Sequence, residues 1–214
     1  MSSVILAGDI GATKTVLALY RSDIAQGKAL EKGLLAEETF RNKDFSDFSD
    51  LINSFFAGRQ EQPARACFGV AGPVRKNRVR MTNLDWHLDG PDLAAQFGMK
   101  EILLVNDLVA TTAGILHLPE DKLIILNQGR PEVGGAIGVL AVGTGLGQSF
   151  AVPINDSLCP FPTEGGHTSF APRNQEQIEL LQFLLAPSEQ QQPPSHISVE
   201  QVCSGMALPA LYAF

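Results

Sequence analysis

The sequence predicts an α/β protein with an internal duplication, and two observations support this fold class. Residues 4–20 (VILAGDIGATKTVLALY) and 136–152 (AIGVLAVGTGLGQSFAV) each place a Gly- and Thr-rich turn between two apolar, β-prone runs, as expected for a β-hairpin. Between these segments, strand-like and helix-like patterns alternate along the chain, which is typical of α/β domains. Aligning Asp9 with Gly143 superimposes the two hairpins, so we interpret them as copies of one structural motif.

The remaining elements follow from the spacing of apolar residues and from turn residues. The predicted elements are a helix over 45–58, a strand over 64–72, a short helix over 90–98, a strand over 101–105 that turns into a helix at Asn106 and Asp107, a loop over 159–172 and an amphipathic helix over 174–185. A further helix is predicted after residue 196, with Ser198 as its N-cap.

The composition limits which kinds of molecule the protein can bind and in which cellular compartment it is expected. The 214 residues are 44% hydrophobic and 18% charged, with a formal net charge of −7, which fits a globular domain and argues against nucleic acid and anionic membranes as partners. No secretory signal or membrane-spanning run is recognisable. The three cysteines, Cys67, Cys159 and Cys203, are too few and too far apart for a disulfide framework or a zinc motif. We therefore expect a cytoplasmic protein.

Both glycine-rich turns suit phosphate binding, although neither is a standard nucleotide motif. The first, GDIGATKT, has Thr13 where a P-loop needs Gly before its Lys, and the second, GTGLG, is followed by Gln148 where a dinucleotide fingerprint needs Gly. Backbone N–H groups and Thr hydroxyls in such turns can still bind phosphate oxygens. Asp9 would then face a hydrated Mg²⁺ that bridges the phosphates. Ordinary hairpin turns are the alternative interpretation.

Several polar residues elsewhere are candidates for chemistry, and each also has a purely structural interpretation. Asp107 follows a buried strand, where it can serve as a general base or simply cap the helix. Glu164 and His167 flank two glycines and can bind sugar hydroxyls or form a polar turn. Asn83 can contribute an amide or form a turn, and Glu200 can bind a ligand or act as an acid in a capping box.

Taken together, the segments GDIGATKT, MTNLDW, VND, GTGLG, EGGHTSFAP and SVEQVCSG resemble the bacterial glucokinase family of the hexokinase–Hsp70–actin superfamily. The resemblance runs in register from the first strand to the last residue. The DxGxT pattern is shared by the whole superfamily, whereas EGGH followed by FAP is more specific to glucokinases. Ala12 departs from the family, since a second glycine is common there.

The resemblance implies a ribonuclease H-like duplicated α/β fold with two lobes and a cleft. It implies a small N-terminal domain over 1–110 and the beginning of a larger domain over 111–214, left incomplete because family members continue past Phe214. We therefore expect a C-terminally truncated chain that binds ATP poorly.

The family's roles, carried over by position, define an expected site. Asp107 is implied as the catalytic base for the glucose 6-hydroxyl, and Asp9 as the residue that contacts Mg²⁺ through water. The implied ATP-binding residues are Gly8, Asp9, Ile10, Gly11, Ala12, Thr13, Gly143, Thr144 and Gly145. The implied glucose-binding residues are Asn83, Asn106, Asp107, Glu164, His167 and Glu200. The implied activity is ATP-dependent phosphorylation of glucose, with a homodimer left open. The alternative is a non-catalytic sugar-binding protein or an ATPase of the same superfamily.

Overall fold

The computed structural model describes residues 4–21, 33–81, 84–130, 132–155, 157–186 and 194–214. The chain forms two compact units, Met1–Glu132 and Val133–Phe214, and each contains its own main sheet. The domain boundary expected between residues 110 and 111 falls inside a helix of the first unit, Asp107–Ile115. The division of the chain into functional domains therefore stays a prediction.

The first unit is built on a mixed five-stranded sheet. Its elements are β1 (Val4–Ile10), β2 (Lys14–Arg21), β3 (Leu34–Arg41), α1 (Phe48–Phe56), β4 (Arg65–Val70), β5 (Arg78–Arg80), β6 (His87–Asp89), α2 (Gly90–Gln96), β7 (Glu101–Asn106) and α3 (Asp107–Ile115). The strand order is β3-β2-β1-β4-β7, with β1 parallel to β4 and β4 parallel to β7, while β2 is antiparallel to both its neighbours. Strands β5 and β6 form a separate antiparallel pair.

Helix α1 shows how the sequence pattern becomes the core of this unit. The Asp47 side chain accepts the N–H of Asp50 and caps the helix, so the helix begins later than the predicted residue 45. Leu51, Ile52 and Phe55 are fully buried, at the spacing that places residues on one face of a helix. They belong to the same hydrophobic core as buried side chains of β1, β4 and β7.

The second unit contains a three-stranded antiparallel sheet in the order β10-β9-β8. Its elements are β8 (Ile137–Val142), β9 (Leu146–Ile154), β10 (Ser157–Thr163), α4 (Gln175–Leu185) and α5 (Leu208–Ala213), with short 3₁₀ turns at Gly165–His167, Glu200–Val202 and Gly205–Ala207. The predicted loop over 159–172 is therefore wrong in its first five residues. Pro160 and Pro162 lie in β10, which tolerates them because it is an edge strand.

Both predicted hairpins are confirmed. Ile10 pairs with Thr15 at the turn between β1 and β2, and Val142 pairs with Leu146 at the turn between β8 and β9. Of the helices in the described part of the chain, none combines the length and the apolar character that crossing a membrane would require.

Candidate active site

The first glycine-rich turn is closed by a hydrogen bond from the Gly11 N–H to the Lys14 carbonyl at 3.0 Å. It is also held by Asn42, a buried residue that the sequence analysis did not single out. The Asn42 backbone N–H donates to the Thr13 carbonyl at 3.0 Å, and its side-chain amide donates to the Gly11 carbonyl at 2.9 Å. The Thr15 hydroxyl in turn donates to the Asn42 side-chain oxygen at 2.8 Å. Asn42 is 1% exposed and Thr15 is 0% exposed, so these bonds are shielded from water.

This arrangement leaves hydrogen-bond donors available at the tip of the turn. Within the described residues, the backbone N–H groups of Ala12 and Thr13 have no hydrogen-bond partner. Ala12 is not among the described non-glycine residues with a left-handed backbone, so its Cβ is accommodated at this position without strain. Exposed Asp9 lies at the end of β1 just before the turn. The donor set fits phosphate oxygens.

Two of the residues implied for ATP binding are packed into the sheet. The Ile10 side chain is 0% exposed and belongs to the core. A Cβ added at Gly8 would lie 2.7 Å from side-chain atoms of both Leu17 and Phe68, so this position has no room for a side chain. Any contact of these two residues with a nucleotide would therefore involve their backbone.

Asp107 lies at the carboxyl edge of the parallel strands, where α/β sheets bind ligands. In the sheet register, Asp9 pairs with Gly69 and Val70 pairs with Asn106, so these strand ends meet at one edge. A Cβ added at Gly69 would lie 3.6 Å from the Asp107 Cα. Gly69 thus allows the first turn of α3 to approach the sheet, a role that the sequence pattern did not reveal.

The helix cap at this edge is provided by Asn106. Its side-chain oxygen accepts the Leu108 N–H at 3.1 Å, and its side-chain amide donates to the Gly72 carbonyl at 3.3 Å. One carboxylate oxygen of Asp107 also accepts the Leu108 N–H, at 2.9 Å. Because Asn106 already caps α3, Asp107 is not required for capping, although the Asn106 side chain also hydrogen-bonds the Asp107 carboxylate.

The surroundings of Asp107 make its carboxylate a stronger base than that of an exposed aspartate. Burial raises the pKa of the Asp107 carboxyl above its ordinary value, and the negative charge of nearby Asp9 raises it further. The hydrogen bond from Leu108 opposes part of this increase. A raised pKa is what a general base needs if it is to accept a hydroxyl proton near neutral pH.

The second glycine-rich turn is held mainly by backbone groups, with one contact from a side chain, that of Glu200 to the Leu146 N–H. The Gly143 N–H donates to the Gly145 carbonyl at 2.9 Å, which closes the turn. The N–H of Gly205 donates to the Gly143 carbonyl at 2.8 Å, and the N–H of Met206 donates to the Thr144 carbonyl at 3.0 Å. The N–H groups of Thr144 and Gly145 remain without partners in the described structure, so this turn also fits phosphate.

Three of the predicted sugar-binding residues are brought together beside this turn. His167 Nε2 lies 3.6 Å from Glu164 Oε2, and His167 Nδ1 lies 3.7 Å from Glu200 Oε1. The other oxygen of Glu200 accepts the Leu146 N–H at 2.7 Å. The side chains of Glu164 and His167 are 86% and 62% exposed, whereas that of Glu200 is 19% exposed. In this cluster the exposed side chains of Glu164 and His167 can contact a ligand, and the side chain of Glu200 beside them is partly buried.

Glycine allows this cluster to form. A Cβ at Gly166 would overlap the Leu146 carbonyl oxygen, and a Cβ at Gly145 would overlap the Glu200 carboxylate. Gly166 lets the turn that carries Glu164 and His167 lie directly on β9, and Gly145 lets Glu200 reach the second turn.

Glu200 is not a capping-box acid, which was its structural alternative. The reciprocal pair consists of Ser198 and Gln201: the Ser198 N–H donates to the Gln201 side-chain oxygen at 2.7 Å, and the Gln201 N–H donates to the Ser198 hydroxyl at 3.3 Å. Since Gln201 completes this pair, the Glu200 carboxylate is available for the cluster.

Three further observations concern metal binding, Asn83 and Ser204. In the described ranges, no three His, Cys, Asp or Glu side chains are grouped to hold a metal ion, so a Mg²⁺ at Asp9 would need phosphate and water as further ligands. Asn83 lies outside the described residues. Ser204, beside Gly205, has a buried hydroxyl with no hydrogen-bond partner among the described residues, and the sequence analysis did not identify it.

Similarity to known proteins identifies the family of this chain. A family model described as Glucokinase matches residues 6–214. The chain is 39% identical over 213 residues to the glucokinase of Nostoc punctiforme, covering 99% of this chain and 60% of that relative. It is 32% identical to the glucokinase of Chromohalobacter salexigens, covering 99% of this chain and 63% of that relative. The chain belongs to the glucokinase family, a family of hexose kinases.

Solved structures support the fold. The glucokinase from an Antarctic psychrotroph has a TM-score of 0.81 at 27% identity, covering 99% of this chain and 64% of that chain. A Balamuthia mandrillaris glucokinase solved in complex with glucose has a TM-score of 0.65 at 22% identity, covering 99% of this chain and 62% of that one. This chain therefore spans about three fifths of the length of the relatives it matches.

Proposed function

We propose that this chain provides the sugar-binding groups and the general base of an ATP-dependent glucokinase, which phosphorylates the 6-hydroxyl of glucose. The observation that carries the proposal is the cluster of Glu164, His167 and Glu200, joined to the second glycine-rich turn through the Leu146 N–H. Membership of the glucokinase family supports phosphoryl transfer to a hexose as the class of reaction. We extend the proposal to the ribonuclease H-like duplicated fold and a cytoplasmic location, which stay predictions, and leave a homodimer open.

Glucose recognition follows from the chemistry of the cluster. Each sugar hydroxyl is both a donor and an acceptor, so its transfer from water requires fixed partners of both kinds. Glu164 and Glu200 accept hydrogen bonds, and His167 can donate or accept. The separations of 3.6 and 3.7 Å around His167 exceed ideal hydrogen-bond lengths, so these groups retain capacity for a ligand. Glucose is the first sugar to test because the Balamuthia glucokinase was solved with it.

The nucleotide would be held through its phosphates. ATP supplies the phosphoryl group, and Mg²⁺ neutralises the charge of the phosphate oxygens when both are bound. The N–H groups of Ala12, Thr13, Thr144 and Gly145 would donate to those oxygens, since they have no partners within the described residues. Asp9 would contact the hydrated Mg²⁺.

Asp107 would accept the proton of the 6-hydroxyl. Its carboxylate has an oxygen that is not used for the helix cap, and burial raises its pKa, so it is a stronger base than an exposed Asp. Removing the proton increases the nucleophilicity of the sugar oxygen as its bond to the γ-phosphorus forms, the bond from that phosphorus to the bridging oxygen breaks, and ADP leaves. The proposal thus assigns sugar recognition to residues of the second unit and proton transfer to Asp107 of the first.

The test of sugar recognition is thermal unfolding with and without glucose. A ligand that binds only the folded protein stabilises it by about 2.7 kcal/mol at 100 times its Kd. We expect glucose to raise the Tm and Glu200→Gln to weaken binding at least about tenfold. Glu179→Gln, an exposed acid on α4, is the control and should bind glucose normally. No Tm shift with glucose, together with a shift with ATP, would instead support an ATPase.

A further inference from the structure

A groove of about 510 Å³ runs along the β5–β6 hairpin of the first unit, lined chiefly by Pro73, Arg75, Arg78, Arg80, His87 and Asp89. We call it the arginine groove. It is separate from the residues of the proposed sugar and phosphate sites. Its volume exceeds that of a single phosphate ion, so it has space for an organic molecule.

The charge of the groove differs from that of the whole chain. The protein carries −7, yet residues 75–80 contain four cationic side chains and no acid. Arg78 is opposite Asp89 and pairs with it, whereas Arg80 is opposite His87, which offers no permanent negative charge. The other arginines therefore have no acid opposite them in this hairpin and are available to an anionic ligand.

The remaining charge compensation in this region is weak. Arg80 lies 3.6 Å from Asp85, whose side chain is 90% exposed, and an exposed pair of this kind contributes little to binding energy. Arg75 makes no ion pair with any described residue. Two guanidinium groups can therefore bind an anion, and guanidinium geometry suits the paired oxygens of a phosphate group.

The tight turn that leads into β5, between Arg75 and Arg78, is anchored to the sheet by hydrogen bonds. Lys76 and Asn77 have φ of 51° and 60°, so they form a tight two-residue turn, closed by two hydrogen bonds between Arg75 and Arg78. The Asn77 side chain accepts the Leu104 N–H at 2.7 Å and donates to the Ile102 carbonyl at 2.8 Å. The turn is thus bonded to the backbone of edge strand β7.

Gly90 makes this anchoring possible. Its N–H donates to the Asn77 carbonyl at 3.0 Å, and an added Cβ would lie only 2.6 Å from the Ile102 carbonyl oxygen. The backbone of the turn between Arg75 and Arg78 is therefore fixed before any ligand arrives, which lowers the entropic cost of binding.

We propose that the arginine groove binds a phosphorylated small organic molecule, with Arg75 and Arg80 on the phosphate group and the apolar wall around Pro73 against the organic part. Two sources share this chemistry, sugar monophosphates and nucleotides. The proposal does not depend on the kinase function, because none of the groove residues belongs to the proposed sugar or phosphate sites.

The test is a titration followed by ¹⁵N–¹H NMR at constant ionic strength, with inorganic phosphate, a hexose 6-phosphate, ATP and uncharged glucose as probes. We expect saturable shifts of the Arg78 and His87 amides with an organic phosphate, and binding tighter than that of inorganic phosphate. The amides of Thr144 and Gly145 report any separate binding at the second turn. Tighter binding of the hexose 6-phosphate would identify the ligand as a sugar monophosphate, and tighter binding of ATP would identify it as a nucleotide.

Substitutions locate the site. Arg75→Gln and Arg80→Gln should each weaken organic phosphate binding at least about tenfold, because each removes a charged hydrogen-bond donor. Arg65→Gln, an exposed arginine of β4 that lies 3.6 Å from Glu101, makes the same charge change elsewhere and should weaken binding less than about twofold. Equal losses in all three variants, no saturable shifts at the groove amides, or binding no tighter than that of inorganic phosphate would each overturn the proposal.

Discussion

Both glycine-rich turns have backbone N–H groups at the tip that no described residue binds, but different contacts hold the two turns in place. In the first turn, the Gly11 carbonyl is bonded by the buried Asn42 side chain, and the Thr13 carbonyl by its backbone N–H. In the second turn, the carbonyls are bonded by the backbone N–H groups of Gly205 and Met206. Both arrangements leave N–H groups at the tip for a ligand. Each turn is also closed by a backbone hydrogen bond of its own, from Gly11 to Lys14 in the first and from Gly143 to Gly145 in the second. The first turn should therefore depend more on a buried side chain, and the second more on the close approach of two backbone segments.

The largest expected effect is that of Asn42→Ala. The substitution leaves the buried Thr15 hydroxyl and the Gly11 carbonyl without their partners, and each loss costs about 1–3 kcal/mol. We expect the free energy of unfolding of the first unit, measured by urea denaturation, to fall by about 3 kcal/mol. Asn127→Ala, at an exposed position, should change it by less than about 0.5 kcal/mol. Equal effects of the two variants would contradict the anchoring role.

The second expected effect compares the two turns directly. In Gly145→Ala the new Cβ overlaps the Glu200 carboxylate, whereas in Gly11→Ala it approaches the Lys14 carbonyl oxygen at 3.2 Å. Displacing Glu200 also removes its bond to the Leu146 N–H. We expect Gly145→Ala to weaken glucose binding at least about tenfold and Gly11→Ala less than about threefold, as measured by calorimetry. The reverse order would show that Glu200 does not depend on the second turn.

A smaller effect concerns the pH dependence of stability. Because the pKa of Asp107 is raised in the folded protein, mainly by burial and then by Asp9, the folded state binds this proton more tightly than the unfolded state. The stabilisation from the proton is complete at low pH and is lost as pH rises from the ordinary carboxyl range through the raised pKa. Asp107→Asn removes this loss. Its stability relative to wild type should therefore increase with pH and then reach a plateau.

Denaturation of both proteins between about pH 4 and about pH 8 measures this difference. Asp121→Asn, an exposed acid of the same unit, should show no such increase. The stability of the Asp9→Asn variant should depend less on pH than that of wild type, because the charge of Asp9 no longer raises the pKa of Asp107. A stability difference between Asp107→Asn and wild type that is flat or falls with pH would contradict the assigned environment.

The smallest effect is expected at Ser204. Its buried hydroxyl has no partner among the described residues, so Ser204→Ala removes an unsatisfied polar group rather than a hydrogen bond. We expect a stability change between zero and a gain of about 1 kcal/mol in thermal unfolding. A loss above about 1 kcal/mol would indicate that the hydroxyl does have a partner in solution.

Local sequence patterns identified the elements and the contiguous site segments. The two hairpins and α1 follow from alternation and helical spacing, and the EGGH segment places Glu164 and His167 close together because they are near neighbours in sequence. Asn42 was missed because it is 31 residues from Gly11 along the chain, so only tertiary folding joins them. Gly69 was missed for the same reason, and β10 because proline usually indicates a loop.

The most direct test of the proposed mechanism is a steady-state assay of glucose phosphorylation by ATP, carried out with the natural protein. Asp107→Asn should lower kcat at least about 100-fold, the usual contribution of a general base, while the Kd for glucose stays within about threefold. Asp92→Asn, an exposed acid on α2, should keep the wild-type rate. A kcat of Asp107→Asn within about threefold of wild type would contradict the assignment of Asp107 as the base.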